Sequence, residues 1–253
     1  MGALDGKHVL ITGGGTGIGA AIARALSKEG AKLSLVGRRQ APLDAMAKEL
    51  PRTAAIVADI TSDADCAAMV IAANKAHGAI DIVIANAGAA SSAPAGQIDL
   101  KTWQAAIDVN LTGAFLTAGA ALPDVTRAPG GRIVFIASTA GLKGYPYVAA
   151  YVAAKHGVVG LMKALSIELA PKGITVNAVC PGFTDTPLLD AAATKISAKT
   201  GRSADDSRAA LAKDNAHGRL IQPEEVAATV LWLCSPAASS INGQAIAVTG
   251  GPL

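Results

Sequence analysis

The sequence predicts an α/β fold: a single doubly wound domain, residues 1–253, in which a seven-stranded parallel sheet carries helices on both faces. Apolar runs of strand length alternate with amphipathic segments of helix length along the whole chain. The apolar runs are continuous, which is typical of parallel strands buried on both faces. Hydrophobic residues make up 51% of the chain and charged residues only 16%, and that composition suits a sheet covered on both sides.

The individual elements follow from these runs. The predicted strands are 8–12, 32–37, 54–59, 81–86, 132–138, 174–180 and 244–250. The predicted helices are 17–30, 41–50, 62–77, 99–121, 149–170 and 223–234. Segment 183–220 interrupts the alternation, because it is longer than an ordinary connection and carries polar and charged residues. Long insertions after the carboxyl end of a strand often cover a ligand site, so we expect a partly helical substrate lid there.

Composition argues against several classes of function. The net charge is +3 and the charges are spread along the chain, so no nucleic-acid partner is expected. No apolar run reaches the roughly 18 residues that suggest a membrane span, and the N-terminus does not resemble an export signal. Three cysteines without a CxxC pair indicate a reduced, cytoplasmic protein. The four histidines lack the spacing of metal ligands, so no metal is expected.

A glycine-rich turn joins the first predicted strand to the first helix, in "VLITGGGTGIGAAIARAL" at 9–26. Glycines let the backbone approach a pyrophosphate, and the helix N-terminus offers unpaired N–H groups. The GxGxxG pattern fits only in relaxed form, whereas TGxxxGxG fits with Thr12, Gly13, Gly17 and Gly19. A plain tight turn is the alternative, and the position at the first strand-to-helix turn favours dinucleotide binding.

The second strand ends in Gly37, Arg38 and Arg39, where NAD-binding folds of this kind carry an acidic residue. A carboxylate there would repel a 2′-phosphate, whereas arginine makes charge-assisted bonds of roughly 1.5–3 kcal/mol with it. The pair therefore favours NADP(H) over NAD(H). The alternative is a solvated arginine pair at the start of a helix.

Tyr151 and Lys155 lie four residues apart on a predicted helix and share a face. A tyrosine acts as an acid or base near neutrality only if its pKa is lowered by about 2–3 units, and a nearby ammonium acts in that direction. Ser138 ends an apolar strand, and Asn110 interrupts an apolar helix. Each residue alone also fits a structural role: packing for the tyrosine, a turn for the serine, a core hydrogen bond for the asparagine.

Taken together, these motifs resemble the short-chain dehydrogenase/reductase family over the whole chain. The motifs in order are TGGGTGIG at 12–19, Asp59, NAG at 86–88, Asn110, Ser138, Tyr151-x-x-x-Lys155 and PGFTDT at 181–186. The resemblance implies a Rossmann-type fold and a catalytic set of Asn110, Ser138, Tyr151 and Lys155. Tyr151 would exchange a proton with the substrate oxygen and Ser138 would hydrogen-bond that oxygen. Lys155 would bind the nicotinamide ribose and lower the pKa of the tyrosine, and Asn110 would hold a water.

The resemblance also implies the cofactor contacts. The expected residues are Thr12, Gly13, Gly15, Thr16, Gly17, Ile18, Gly19, Arg38, Arg39, Asp59, Ile60, Asn86, Ala87, Gly88, Tyr151, Lys155, Pro181, Gly182, Thr184 and Thr186. Asp59 would contact adenine, Asn86 the adenosine-side ribose region, and Thr186 the carboxamide or phosphates. One departure matters: Thr16 stands where many NADP(H)-binding members carry Arg or Lys. The family also implies a homotetramer.

The substrate pocket is expected after Ser138 and on the lid, and it is mostly apolar. Its predicted residues are Ser138, Leu142, Lys143, Tyr145, Tyr147, Phe183, Leu188 and Leu189. Stretches 149–161 and 173–188 resemble acetoacetyl-CoA or 3-oxoacyl-thioester reductases, 3-hydroxybutyrate dehydrogenases and aromatic-polyketide ketoreductases. This resemblance predicts an NADP(H)-linked 3-oxoacyl/3-hydroxyacyl thioester oxidoreductase. Basic residues at 195–213 could meet the phosphates of such a substrate, or simply form a solvated face. The alternatives are an oxidoreductase of a free cyclic, aromatic or steroid-like alcohol, possibly NAD-linked, and a non-catalytic NADP(H)-binding scaffold.

Overall fold

A computed structural model describes residues 2–253 as a parallel sheet with helices on both faces. The seven strands are β1 (His8–Thr12), β2 (Lys32–Gly37), β3 (Thr53–Val57), β4 (Ile82–Ala85), β5 (Arg132–Ile136), β6 (Thr175–Pro181) and β7 (Ala245–Val248). Their order across the sheet is β3-β2-β1-β4-β5-β6-β7. The predicted fold class is confirmed.

The helices connect the strands as crossovers. They are α1 (Gly17–Lys28), α2 (Gln40–Glu49), α3 (Asp63–His77), α4 (Leu100–Ile107), α5 (Gly113–Val125), α6 (Ala149–Leu169), α7 (Pro187–Thr200), α8 (Ala204–Ala212) and α9 (Pro223–Cys234). Several begin at a side-chain cap that satisfies a free backbone N–H. Ser62 accepts a hydrogen bond from Asp65 N, Asp99 from Thr102 N, and Ser203 from Asp206 N.

Two hydrophobic cores, one on each face of the sheet, hold these layers together. Helices α3, α5 and α6 pack on one face, where Phe135 of β5 is fully buried. Helices α1, α2 and α9 pack on the other face, against side chains such as Ile11 and Val134. Alternate side chains of each strand point into opposite cores, so the strands are apolar throughout, as the sequence predicted.

The predicted helix 99–121 is divided in the structure. A π-helical turn, Asp108–Thr112, separates α4 from α5. The side chain of Asn110 explains the break: its Nδ2 donates to Ala106 O at 3.0 Å, the carbonyl that would accept the Asn110 backbone N–H in a regular α-helix. The side chain therefore competes with the backbone of its own helix, and an extra residue enters the turn.

The stretch Leu100–Val125 is long and apolar enough to span a membrane by length and composition alone. In the structure it contains the π-helical turn, and one side of α5 packs into the core. Ala114, Ala118 and Ala121 are buried against the sheet. The hydropathy of this stretch thus has a structural explanation in core packing.

Candidate functional site

The strand order reverses between β1 and β4, and a cleft lies beyond the carboxyl ends of the strands there. Open α/β sheets bind ligands at such a reversal. The cleft has a volume of about 430 Å³. Its lining residues are Gly13, Gly15, Thr16, Gly37, Arg38, Arg39, Pro42, Leu43, Ala58, Asp59, Ile60, Ala87, Gly88 and Val109.

The glycine-rich turn has the backbone geometry that its sequence predicts. Gly13 and Gly17 adopt φ values of 66° and 53°, a region that L side chains rarely occupy. A Cβ on Gly13 would lie 2.8 Å from Asn86 Nδ2, and one on Gly15 would lie 3.0 Å from the Pro42 Cβ. Thr16, the N-cap of α1, makes no side-chain capping bond. The turn is therefore narrow, and the helix N-terminus offers N–H groups to a phosphate, so it fits a dinucleotide.

Thr12 and Asn86 fasten the glycine-rich turn to the end of β4. Thr12 Oγ1 accepts hydrogen bonds from Asn86 N at 3.1 Å and Ala87 N at 3.2 Å. Asn86 Nδ2 donates to Thr12 O at 2.9 Å and to Gly13 O at 3.3 Å. These two predicted cofactor residues thus bond to each other's backbone. In this structure they hold the walls of the cleft together.

Arg38 and Arg39 lie at the rim of the cleft and are exposed. Neither makes a salt bridge within residues 2–253. Asp59 lies on the other side, where the backbone and side chain of Thr61 donate to it and lower the pKa of its carboxyl. Arg38 lowers the same pKa by a smaller amount through its charge. Two cations at the rim fit an anionic group on a ligand in the cleft.

The side chains of Asn110 and Lys155 both lie next to Gly88. A Cβ on Gly88 would lie 2.9 Å from Asn110 Oδ1 and 3.6 Å from Lys155 Nζ, so only glycine allows this approach. Lys155 is 4% exposed and its Nζ donates to Ile136 O at 2.8 Å. The amide of Asn110 bonds to the backbone of Ala89 in both directions, at 2.8 and 3.2 Å. The side chain of Asn110 therefore fixes the loop after β4 to the helix.

Tyr151 is half-buried on α6, with Lys155 Nζ 5.7 Å from the centre of its ring. Burial raises the pKa of Tyr151, and a hydrogen bond with Ser138 lowers it by less. Burial also lowers the pKa of Lys155 to about 8. The net shift of the Tyr151 pKa is upward because desolvation disfavours the phenolate, and the lowering by Lys155 stays a prediction.

Ser138 follows β5 and begins a short 3₁₀ turn, where its Oγ accepts from Ala140 N at 3.1 Å. This is the turn role that the sequence left open. The bond with Ala140 N uses only an oxygen lone pair, so the Ser138 hydroxyl proton can donate to Tyr151 in the free enzyme and to a substrate oxygen when one is present. The arrangement can therefore present one hydroxyl and one phenol to the same substrate oxygen.

The predicted pocket residues divide into walls and exposed positions. Tyr145 hydrogen-bonds Thr139 through its hydroxyl at 2.8 Å, and its ring meets Phe183 edge-on with 5.9 Å between centroids. The Nζ of Lys143 lies 5.3 Å from the Tyr145 ring centre, and Leu142 packs on the core. Tyr147 is 65% exposed and has a φ of 67°.

On α7, the two predicted leucines differ in exposure. Leu188 is 45% exposed, whereas Leu189 is only 5% exposed. Neighbouring residues of a helix point about 100° apart, and the sequence alone did not fix the rotation of α7. In the structure Leu189 is packed inside the protein.

The PGFTDT segment carries four predicted cofactor residues. Pro181 ends β6 and is buried, and the Thr184 hydroxyl donates to Gly182 O at 3.0 Å. Thr186 caps α7 and lies close to the glycine-rich turn, since a Cβ on Gly17 would lie 3.3 Å from its Cγ2. Ile18, by contrast, packs against the core under α1.

The cleft includes residues that the sequence reasoning missed. These are Gly37, Pro42, Leu43, Ala58 and Val109. Gly37 had a signal, because it precedes the arginine pair. Pro42, Leu43 and Val109 come from helices that meet the glycine-rich turn only in the folded chain, so no local pattern identifies them. Within residues 2–253, no cluster of three or more His, Cys, Asp or Glu could hold a metal ion.

Known proteins resemble this chain along nearly its whole length. The model of the short chain dehydrogenase family matches residues 7–197. A protein assigned as a ketoacyl reductase in Streptomyces coelicolor is 38% identical over 262 residues, covering 99% of this chain and 98% of the relative. D-beta-hydroxybutyrate dehydrogenase of Cupriavidus necator is 35% identical over 255 residues, covering 98% of each chain.

A solved structure of an actinorhodin polyketide ketoreductase variant with NADPH superposes with a TM-score of 0.93. It is 36% identical and the match covers 99% of this chain and 98% of that one. This chain belongs to the short-chain dehydrogenase family and is an oxidoreductase that interconverts secondary alcohols and ketones with a nicotinamide cofactor.

Proposed function

We propose that this enzyme transfers a hydride between NADP(H) and a 3-oxoacyl/3-hydroxyacyl thioester. The observation that carries the proposal is the position of Tyr151 and Ser138 beside Lys155, whose Nζ lies near Gly88 in the lining of a cleft that has Arg38 and Arg39 at its rim. One region offers proton chemistry and the other offers charge complementarity to a phosphate.

The chain's own side chains carry the proton and the positioning. Tyr151 exchanges a proton with the substrate oxygen, and Ser138 donates a hydrogen bond to that oxygen and so orients it. Lys155 binds the nicotinamide ribose, and Asn110 holds a water that links Lys155 to solvent. When bound, the nicotinamide supplies or accepts the hydride and carries a positive charge in its oxidised form. That charge favours the phenolate of Tyr151 against the effect of burial.

The preference for NADP(H) rests on Arg38 and Arg39. Both are exposed at the cleft rim, and Gly37 before them adds no side chain and no negative charge. The related ketoreductase structure contains NADPH, which supports the same preference. Asp59 and Ile60 would then contact the adenine, and the PGFTDT segment the nicotinamide side.

The thioester substrate is supported by the pocket and by the relatives. Tyr145 and Phe183 form an aromatic wall. Tyr145 lies in the loop after Ser138, and Phe183 begins the segment 183–220, which we propose as the substrate lid. Two of the relatives are named for acting on a ketoacyl group and on 3-hydroxybutyrate. Arg208, one of the basic lid residues expected to meet phosphates, is already paired with Asp185 and Asp190. Phosphate binding is therefore left to the other basic residues at 195–213.

We also propose that the protein is a homotetramer. Phe115 on α5, Ile167 on α6 and Trp232 on α9 are 53%, 77% and 42% exposed, and a partner subunit would cover such apolar side chains. Measurement of the solution mass by light scattering tests this, and a monomeric mass would contradict it.

The substrate and cofactor are tested by one set of rate measurements. Acetoacetyl-CoA, free acetoacetate and a cyclic ketone are each assayed with NADPH and with NADH. We expect the highest kcat/KM for the thioester with NADPH. Equal rates for thioester and free ketone would contradict the thioester assignment. For the cofactor, Arg38→Ala should weaken NADPH binding by about ten- to a hundredfold and leave NADH binding unchanged. Arg127→Ala, an exposed arginine remote from the cleft, is the matched control.

A further inference from the structure

The two ends of the lid segment are joined at its base. Ile221 N donates to Phe183 O at 2.9 Å, and Asp185 N donates to Ile221 O at 2.9 Å. The side chain of Asn215 donates to Phe183 O at 2.8 Å and accepts from Phe183 N at 2.9 Å. Helices α7 and α8 therefore extend from a closed base, and other contacts decide where they lie.

Arg208 connects α8 to the start of α7. It is half-buried on α8, and its Nη2 donates to Asp185 Oδ1 at 2.7 Å. Its Nη1 donates to Asp190 Oδ1 in the first turn of α7. In the described chain, residues 2–253, no other salt bridge joins α8 to α7 or to the loop before it. One guanidinium thus holds both sides of the beginning of α7.

This attachment point lies close to the glycine-rich turn, three of whose residues line the cleft. Thr186 lies between the two acidic residues and caps α7, with its Oγ1 accepting from Leu189 N at 3.4 Å. Its methyl group is the atom that a Cβ on Gly17 would approach to 3.3 Å. The residue chain Arg208–Asp185–Thr186–Gly17 therefore connects the outer helix of the lid to the glycine-rich turn.

We propose that Arg208 is a positioning residue that holds the lid helices in place and keeps Thr186 against the glycine-rich turn. Its planar guanidinium suits this role, because two parallel N–H groups can serve two carboxylates at once. A lysine presents one compact charge and cannot replace both bonds in the same geometry. The part of the proposal that concerns cofactor affinity rests on the proposed function. The part that concerns lid position does not.

The first test measures lid position without cofactor or turnover. Amide hydrogen exchange is followed in the full-length protein and in Arg208→Met, which keeps the aliphatic stem and removes the charge. We expect exchange in α7 and α8 to become about tenfold faster, with Arg208→Lys between the two. Arg202→Met, on the same lid and in no salt bridge of the described chain, is the control and should match the unchanged protein. Equal exchange in Arg208→Met and the unchanged protein would overturn the proposal.

The second test measures the link to the cleft by fluorescence titration with NADPH and with NADH. Arg208→Met should raise the Kd of the preferred dinucleotide about tenfold, and Asp190→Asn should reproduce part of that rise. The double variant, with Arg208→Met and Asp190→Asn combined, should bind the dinucleotide no more weakly than Arg208→Met alone, because both changes break the same ion pair. Faster exchange with an unchanged Kd would overturn the link to the cofactor cleft. Failure of the unchanged protein to bind either dinucleotide would contradict the proposed function. The exchange result would still decide whether Arg208 holds the lid helices in place.

Discussion

Tyr151 and Lys155 lie one helical turn apart on α6, and burial shifts both side chains toward their neutral forms. It raises the pKa of Tyr151 and lowers the pKa of Lys155 to about 8. A lysine whose pKa lies near the working pH changes charge where enzymes are assayed. The charge of Lys155, more than that of Tyr151, should therefore set the pH dependence of the free enzyme.

We predict that kcat/KM for ketone reduction is constant below about pH 8 and falls above it, as Lys155 loses its proton. The ratio kcat/KM reports groups of the free enzyme, which makes it the right quantity to follow. In Lys155→Arg the fall should move to higher pH, since a guanidinium stays protonated. A wild-type profile that remains level well into the alkaline range would contradict the role of Lys155.

At the scale of elements, the π-helical turn between α4 and α5 connects a local irregularity to the site. Asn110 bonds to Ala106 O within its own helix and to both backbone groups of Ala89 in the loop after β4. Those bonds draw the helix and loop together around Gly88, next to Lys155. The irregularity therefore positions the loop that forms one wall of the cleft.

Asn110→Ala should lower the free energy of unfolding by about 2–4 kcal/mol, because one buried and two part-buried hydrogen bonds are lost together. It should also slow turnover per folded molecule. Urea unfolding and active-site-normalised rates measure the two effects. Asn74→Ala is the matched control, since Asn74 bonds to Asp124 away from the cleft. If both variants lose turnover equally, the assignment of Asn110 as the residue that positions the cleft loop is wrong.

The sequence predicted the elements well where apolar periodicity is strong, and less well where a side chain competes with the backbone. The seven strands lie within a few residues of their predicted places. The break at Asp108–Thr112 was missed because the sequence does not show that the Asn110 side chain would bond to Ala106 O and compete with the helix backbone. The different exposures of Leu188 and Leu189 were not predicted, because periodicity alone does not say which side of α7 is buried. Pro42 and Val109 line the cleft through tertiary packing, which leaves no local signal.

At the scale of the whole molecule, a buried histidine, His8, begins β1 and so lies at the opposite end of the strands from the site. His8 Nδ1 donates to Gly78 O at 2.7 Å, so the neutral ring accepts at Nε2 from Ser34 Oγ, 2.9 Å away. Burial lowers the pKa of His8 below its ordinary value, and His77 adds to the shift. His77 stacks edge-on at 5.2 Å and has a pKa that burial also lowers.

Protein stability should therefore decrease as the pH falls. The unfolded chain binds protons on these histidines below about pH 6.5, while the folded chain binds them only at lower pH. The stabilisation is fully present above pH 6.5 and is lost as pH falls through the folded pKa. Urea midpoints measured from pH 8 to pH 5 should drop less in His8→Gln than in the wild type. His156→Gln, at an exposed position, should show the wild-type slope, and equal slopes in all three would contradict the account.

The most direct test of the central claim is the turnover of Tyr151→Phe with NADPH and the preferred ketone. The change removes one hydroxyl and keeps the ring, so the fold and the cleft stay intact. We predict that kcat falls about 10²–10⁴-fold, the contribution expected of a general acid. NADPH affinity, from fluorescence titration of the same sample, should not change. A variant that binds NADPH and retains wild-type turnover would contradict the assignment of Tyr151 as the proton donor.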